Sequence, residues 1–573
     1  MNKTTLLASM AVLTTGCIYV YQDPLFGDGE TGNDLVIEVD TAACDESFVA
    51  AVQVLENNCY SCHANGSQVG KPLSNMENTA AFVNDYVVPF DREASRAWDE
   101  VESGRMPYQL PPLSEVELTA IATWIDCGAL LEEEDPRTFI DREAVFDASA
   151  EYLRDNGNPR DIRFLDLTTW YNGNESTTQL LNRKKAAEKA LNSLSLNVGV
   201  GRIVPVPVGQ DVPEEIAASG LLFAVHLSDF ELQGGPWTLI EDAYPYGASY
   251  DFDSYEPLAS GSGSWLPVID LVWFVHASQQ PPLYHDLAGM PDNLDDWLER
   301  YGVVQERESV LVDGALVSAG PTVDWDCVAV QDSGVSSFNR VFCETPNRFG
   351  GYVYVSFDFN GEADFKNVFE HPLDFLEDGG EMIASNAAGF QQYFITDANG
   401  DRLDRAPHEV VNDPGRPTDD EGDSVINGVS CHGCHVQGMR MAADEMFATW
   451  VNADPPHPDQ VALLRRYLGE EESLELLGGH REDFLATMDG ININPDEDDP
   501  INVAWYRFLD RMSPELVAAS VGIPLDELLE ILDDDEDLRN QLRRTQIGKT
   551  VPREVFDAAF AQLICEVEGT SCD

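Results

Sequence analysis

Two clusters of the form Cys-x-x-Cys-His occur in this chain of 573 residues. One lies in NNCYSCHANG at 57–66, and the other lies in NGVSCHGCHVQG at 427–438. Such a cluster can hold zinc, exchange a disulfide, or attach a haem covalently. In the haem case the two thiols form thioethers to the vinyl groups, and the adjacent imidazole binds the iron.

The surroundings of the clusters favour haem over zinc. Zinc needs further cysteine or histidine ligands at short range, and none lies near the first cluster. A thioredoxin-like pair needs no histidine and expects a βαβ context. His432 adds a fourth candidate ligand at the second cluster, but neighbouring residues cannot readily complete a tetrahedron, so zinc stays the alternative there. We predict two covalent haem c groups, on Cys59, Cys62, Cys431 and Cys434, with His63 and His435 as iron ligands.

The first 17 residues predict export. A lysine near Met1 precedes a short apolar run and small residues, which is the layout of a secretory signal and too short for a membrane span. The end of this segment, LTTGC, resembles a bacterial lipoprotein signal, which implies lipidation of Cys17 and attachment to a membrane at the periplasmic face or cell surface. An ordinary secretory signal is the alternative.

The amino-acid composition limits the kinds of partner that the protein can bind. Asp and Glu number 102 against 34 Lys and Arg, so the net charge is −68. Nucleic acid is therefore excluded as a partner, because its binding depends on cationic contacts to phosphates. A basic redox partner protein fits this charge better. The length predicts three or four domains, and no later run of about 18 to 20 apolar residues predicts a transmembrane helix.

The cysteine count is consistent with disulfides. Eleven cysteines less Cys17 and the four cluster cysteines leave six, an even number in an oxidising compartment. Proximity, and the bracketing of a domain, favour the pairs Cys44–Cys127, Cys327–Cys343 and Cys565–Cys572.

Residues 44–130 form the first predicted domain, after the signal at 1–17 and a linker at 18–43. A helix over 45–58 leads into the first cluster, Met106 precedes a proline, and Ser114 with Glu117 predicts a capped final helix. This order resembles a class I c-type cytochrome, which implies an all-α domain with His63 and Met106 on opposite faces of the iron. Met76 is the other methionine of the domain.

The rest of the chain predicts an α+β region with β-hairpins and then a helical C-terminal region. An acidic linker at 131–160 precedes a domain at 161–345, with a helix at 177–194. Alternating apolar residues predict strands at 202–209, 221–232 and 264–277. Residues 346–445 contain a strand at 350–359 and a hairpin at 390–405 before the second cluster, and residues 446–573 are helical.

Several segments of this larger region resemble a family of exported proteins of environmental bacteria that carry a Cys-x-x-Cys-His cluster after such a hairpin. They include AYPYG, QQPPLYHDL, FEHPLDFLEDGGEMI, VINGVSCHGCH and GKTVPREVFDAAFAQLICE. The resemblance covers most of residues 160–565 and implies a second haem and electron transfer, but no established reaction. Cys327 and Cys343 depart from the family pattern and are interpreted as an added disulfide.

The sequence does not identify the sixth ligand of the second iron. His285 and His371 are favoured over methionine, and an iron with no protein ligand there is the further alternative. The methionines considered are Met439, Met441, Met446, Met488 and Met512. No hydrolase, phosphate-binding or dinucleotide motif occurs, so no catalytic residue is predicted.

Three classes of function are compatible with these features. Electron transfer through two haems is favoured. A peroxidase-like haem enzyme would instead keep an open iron in the larger domain, and a binding module would dock a partner on the β-rich region.

Overall fold

A computed structural model describes most of the chain and divides it into two units. It describes residues 17–19, 37–39, 47–63, 76, 79–88, 91–93, 95–107, 111–127, 129, 137–157, 159–196, 199–209, 212–303, 307–312, 315–321, 325–331, 338–407, 424–451 and 460–568. One unit comprises residues 1–61 and 76–136, and the other comprises residues 62–75 and 137–573. The predicted signal over 1–16 lies outside the described residues, and Cys17 begins a short strand.

The described part of the first unit is mainly helical. Helix Ser47–Asn58 packs on helix Glu115–Asp126, where the Asn58 amide donates to Glu117 at 3.1 Å. Ser114 and Glu117 form the predicted capping box, which satisfies orphan amides of the first turn. The remaining elements are helices Thr79–Tyr86 and Arg96–Glu102, the antiparallel strands Cys17–Tyr19 and Ile37–Val39, and the helical turn Tyr60–His63, which continues into the second unit.

A four-stranded sheet lies in the first half of the second unit, in the order Val204–Val206, Leu222–His226, Ile162–Asp166 and Val268–Asp270. The last two strands are parallel and the other pairs are antiparallel. The predicted helix is confirmed at Thr177–Leu194, where Ser176 and Gln179 form a capping box. The prediction of a strand over 264–277 is wrong beyond Asp270, because the Asp270 side chain caps a helix, Leu271–Ser278. The other helices here are Arg142–Asp155, Thr168–Asn172, Glu214–Ser219, Gly235–Ala243, Tyr255–Ser262, Leu283–Leu287 and Leu294–Arg300.

A five-stranded antiparallel sheet follows. Its order is Gln391–Asp397, Gly379–Ser385, Tyr352–Asp358, Arg340–Pro346 and Asp326–Val330. The central strand Tyr352–Asp358 confirms the prediction at 350–359, and all its residues are buried because both sheet faces are covered. The predicted hairpin at 390–405 forms as a short one: the chain turns after Asp397, the Leu403 amide donates to the Ile395 carbonyl at 2.8 Å, and Arg402 forms an antiparallel bridge with Thr396. Strands Arg307–Val312 and Ala315–Pro321 form a separate antiparallel pair.

The chain from 446 onward is helical, as predicted. Ser513 caps a helix that begins at Pro514, where the missing amide hydrogen costs no hydrogen bond. One hydrophobic core extends from Ile140 to Leu563 and includes residues of all three predicted segments, 161–345, 346–445 and 446–573. The helices are Met446–Val451, Gln460–Arg466, Glu470–Gly490, Pro500–Leu509, Pro514–Ser520, Leu525–Asp534, Glu536–Gln541, Arg543–Gln546 and Arg553–Glu568.

The cysteines confirm one of the expected disulfides. Cys327 and Cys343 face each other across neighbouring strands and are bonded. Cys127 is disulfide-bonded, and its expected partner Cys44 lies outside the described residues. The Cys565–Cys572 prediction is wrong: Cys565 is a free thiol on a helix that carries the chain onward to Glu568. Among the described residues, no helix is long and apolar enough to cross a bilayer.

Candidate haem-binding site

The second cluster lies on a short helix, Val429–Cys434, whose start depends on Gly428. Gly428 has φ +96°, and a side-chain carbon there would lie 2.6 Å from the Gln279 carbonyl oxygen. The helix therefore packs directly on the Gln279 segment. Because positions i, i+3 and i+4 share a helix face, Cys431, Cys434 and His435 project to the same side, and all three line one cavity.

His432 belongs to the opposite side of this helix. Its Nε2 donates to the side-chain oxygen of Gln279 at 3.0 Å, and its ring meets that of Tyr393 edge-on at 4.9 Å. Burial lowers its pKa well below the usual range, so the ring is neutral. Across the described residues, no three His, Cys, Asp or Glu side chains are grouped to hold a metal ion. A zinc site at this cluster would need the His432 imidazole as its fourth ligand. That imidazole is hydrogen-bonded to Gln279 instead.

His435 is oriented by a hydrogen bond that leaves one ring nitrogen available. Its Nδ1 lies 3.0 Å from the carbonyl oxygen of Gly438, and because a carbonyl only accepts, Nδ1 carries the proton. Nε2 then keeps its lone pair. Burial lowers the pKa of His435 to about 4, which keeps the ring neutral at pH 7. Histidines that bind metals commonly donate their other nitrogen to a backbone carbonyl in this way.

The cavity beside the cluster has a volume of about 350 Å³, within the size range of small-molecule and cofactor sites. The five-stranded sheet supplies much of its wall, and the cluster helix with the segments on either side of it supplies the rest. The opposite face of the sheet packs into the main core and carries the Cys327–Cys343 disulfide. The lining is Val330, Arg340, Phe342, Tyr354, Ser356, Glu381, Met382, Ile383, Tyr393, Phe394, Val425, Ser430, Cys431, Cys434, His435, Met439, Arg440, Met441, Ala442, Ala443 and Glu445.

Two guanidinium groups reach this largely apolar cavity. Arg340 pairs with Asp358 and, at 2.8 Å, with Glu381. Burial acts to lower the pKa of Arg340, but the two carboxylates outweigh it and raise that pKa, so the charge is fixed. Arg440 is exposed at the rim. The cavity is therefore largely apolar, with the charge of Arg340 neutralised by its two carboxylates and Arg440 as an exposed cation at the rim.

Five of the seven residues considered as sixth ligands from the sequence do not line this cavity. His285 is buried and takes part in hydrogen bonds with Asn427 at 2.7 Å, and it faces Asp404 at 3.4 Å. His371 contacts Asp374 and the ring of Phe365. Met446, Met488 and Met512 are fully buried in hydrophobic clusters.

Of the described residues that line the cavity, His435 is the only histidine, whereas three are methionines: Met439, Met441 and Met382, the last of which packs into the main core. From the sequence, histidine is favoured over methionine as the sixth ligand, because Met439 and Met441 follow the cluster so closely. The structure brings both to the cavity wall, since the chain turns at Gly438, which has φ +80°. Met439 is buried and Met441 is 43% exposed.

Three residues that support the cluster were not assigned this role from the sequence. Gln279 holds His432 and packs on Gly428, while His285 holds Asn427 at the entrance to the helix. Tyr284, between them, bonds to the backbone of Tyr393. All three belong to the segment QQPPLYHDL, which was singled out above for its resemblance alone.

The first cluster is described in part. Cys59 follows helix Ser47–Asn58 and donates its amide to Leu55, and the boundary between the two units falls after Ser61. The side chain of Cys62 lies outside the described residues. Within the first unit Met76 is buried, with 4% of its surface exposed, whereas Met106 is half-buried after the turn that ends helix Arg96–Glu102.

No protein-family model, curated protein or solved structure matches this chain.

Proposed function

We propose that this protein is an exported, lipid-anchored c-type cytochrome that carries two covalent haem groups and transfers electrons. One observation carries the proposal: a short helix presents two cysteines and an imidazole with an available Nε2 to a single cavity of cofactor size. The first cluster has the same spacing, and its predicted ligand Met106 lies in a helical unit.

The residues of the second cluster divide the work of binding. Cys431 and Cys434 would hold a haem by thioethers, and His435, whose Nδ1 donates to the Gly438 carbonyl, would supply Nε2 to its iron. A bound haem supplies reversible one-electron transfer at its iron. The apolar sheet face excludes water from the ring, which keeps the surroundings at low dielectric and tunes the redox potential.

The net charge indicates which kind of redox partner the protein binds. A net charge of −68 attracts a basic redox protein and raises its association rate at low ionic strength. The Cys327–Cys343 disulfide supports an oxidising location, because disulfides persist in exported proteins. Lipidation at Cys17 would keep the protein at a membrane surface.

Electron transfer and enzymatic turnover differ in the occupation of the sixth iron position. Of the two, transfer is favoured because Met439 and Met441 line the cavity, and a thioether from one of them would occupy the sixth position of a bound haem iron. The test is a reduced-minus-oxidised spectrum with and without carbon monoxide. Two six-coordinate haems that bind no carbon monoxide support transfer, whereas stoichiometric binding at one haem with peroxide turnover would contradict it.

Two neighbouring histidines provide matched variants for this test. His435→Ala removes the proposed ligand and should alter the spectrum of one haem only. His432→Gln alters a buried ring held by Gln279 and should leave both spectra unchanged. Equal effects of the two substitutions would contradict the assignment of His435.

A further inference from the structure

Glu344 is a buried carboxyl group beside the cavity of the second cysteine cluster. It lies two residues after Phe342 on strand Arg340–Pro346, and side chains two residues apart on a strand point to the same face. It also lies directly opposite Tyr354 on the neighbouring strand. Phe342 and Tyr354 both line the cavity, and the Cβ atoms of directly opposed residues are about 4.5 to 5.5 Å apart. Glu344 is therefore a direct neighbour of the cavity wall.

Glu344 lacks a counter-charge. The residue is 6% exposed, and within the described ranges its carboxylate forms no hydrogen bond or ion pair. Arg340 on the same strand binds two other carboxylates, and the residue opposite Glu344 on its other side is the exposed Asp326. Burial, and then the negative charge of Asp326, raise the pKa of Glu344 to about 7. This carboxyl group thus gains and loses a proton near neutral pH.

Two titratable rings near Glu344 keep a fixed charge at pH 7. Burial, and then the charge of Glu344, raise the pKa of Tyr354, so its hydroxyl stays protonated. That hydroxyl lies 2.8 Å from Nδ1 of His480 on helix Glu470–Gly490. Burial lowers the pKa of His480, although the charge of Asp483 opposes this, so the ring is neutral at pH 7. Other titratable groups on these elements include Tyr352, whose pKa burial also raises, and the exposed Glu470, Glu471 and Glu472.

An electron added to a haem in the cavity would act on Glu344 through its charge. Reduction turns ferric iron into ferrous iron and so removes one positive charge from the cavity. Charges interact strongly in surroundings of low dielectric, and a less positive neighbour favours the neutral form of a carboxyl group. Proton uptake by Glu344 then restores the charge balance of the site.

We propose that Glu344 takes up a proton from solvent when a haem at the second cluster is reduced by its redox partner, and releases it when the electron leaves. The haem iron gains one electron, the carboxylate gains one proton, and no other bond changes. This coupling rests on the proposed function, and it makes the potential of that site depend on pH.

The test is redox titration of the full-length, haem-loaded protein between about pH 5.5 and about pH 8.5, with the potential of each haem followed separately. The potential of the second haem should fall as the pH rises through about 7. The limit is a tenfold change in the reduction equilibrium per pH unit, which is about 59 mV for one electron and one proton.

Glu344→Gln keeps the side chain neutral at every pH. The potential of the second haem should then stay near the value that the unaltered protein reaches at low pH, so the two proteins should differ only above about pH 7. The first haem should be unaffected by this substitution. The matched control is Glu362→Gln, which removes an exposed carboxylate after the neighbouring strand and should leave the fall in potential unchanged.

Asp326→Asn is a second variant, at an exposed position where the fold tolerates the change. Removing this charge lowers the pKa of Glu344, so the fall in potential should move to lower pH. Reduced-minus-oxidised infrared spectra of the unaltered protein near pH 7 should show the C=O stretch of one additional protonated carboxyl group. Glu344→Gln should remove this band.

The possible failures are distinguishable. A second cluster that carries no haem would overturn the proposed function and proton uptake together. A covalent haem with a potential that is independent of pH, or that falls equally in Glu344→Gln, would overturn proton uptake alone.

Discussion

Glu175 connects helix Thr177–Leu194 to helix Pro500–Leu509, which contacts the second cluster, and its replacement tests how much this connection stabilises the fold. Its carboxylate accepts from Arg183 at 2.6 Å and from Arg507 at 2.9 Å. All three side chains are at most 2% exposed. Arg507 belongs to helix Pro500–Leu509, which also carries Asn502, and the Asn502 amide donates to the carbonyl of Val429 at the start of the cluster helix.

Glu175→Gln preserves the shape of the side chain but leaves the buried Arg183 without its counter-charge and Arg507 with only Asp510, at 3.9 Å. Breaking a buried ion pair in this way costs about 3 to 5 kcal/mol. The matched control is Glu188→Gln on the same helix region, because its partner Arg202 is 46% exposed and can be hydrated. The control should cost less than about 1 kcal/mol.

The assay is urea unfolding of the full chain at pH 7, followed by far-ultraviolet circular dichroism. The dependence of the unfolding free energy on pH provides a second test. Burial acts to raise the pKa of Glu175, but the charges of Arg507 and Arg183 outweigh it and lower that pKa below 4.5. The stability that the carboxylate provides is therefore present above pH 4.5 and is lost as the pH falls through the lower value of the folded state. The cost of Glu175→Gln should shrink on acidification, and a cost at pH 7 no larger than that of Glu188→Gln would refute the reasoning.

Three further predictions follow from the ligands, the disulfide and the buried carboxylates. Met106→Ala should abolish the thioether-to-iron absorption band and lower the potential of the first haem, as measured by near-infrared absorption and redox titration. Replacing Cys327 and Cys343 by alanine should lower the free energy of unfolding by about 3 kcal/mol, because the bond closes a separation of 16 residues. Burial raises the pKa of Asp166 and of Asp270 to about 6, so stability should fall as the pH rises from about 4 through 6. Replacing both by asparagine should remove up to about 4 kcal/mol of that dependence, measured as unfolding free energy at pH 4.5 and pH 7.

Local features could be predicted from the sequence because they depend on nearby residues. The spacing of Cys431, Cys434 and His435 places them on one helix face whatever the rest of the chain does. The helix Thr177–Leu194 begins where a serine and a glutamine three residues later satisfy its first amides.

Features that depend on distant contacts could not be predicted. Residues 264–277 are apolar without a clear period, and a buried helix and a buried strand look alike in such a run. His285 resembles a ligand in sequence, but it lies 142 residues before its partner Asn427, so its supporting role appears only in the fold. The cavity wall likewise joins five strands from residues 326–397 to the cluster helix.

The attachment of two haems is the central claim, and intact-mass analysis with haem staining of denaturing gels tests it most directly. Protein matured with the c-type haem machinery should carry two covalent haems per chain. Replacing Cys59 and Cys62 by alanine, or Cys431 and Cys434 by alanine, should leave one haem in each case. A single haem in the unaltered protein, or a second cluster that retains zinc in place of haem, would contradict the account.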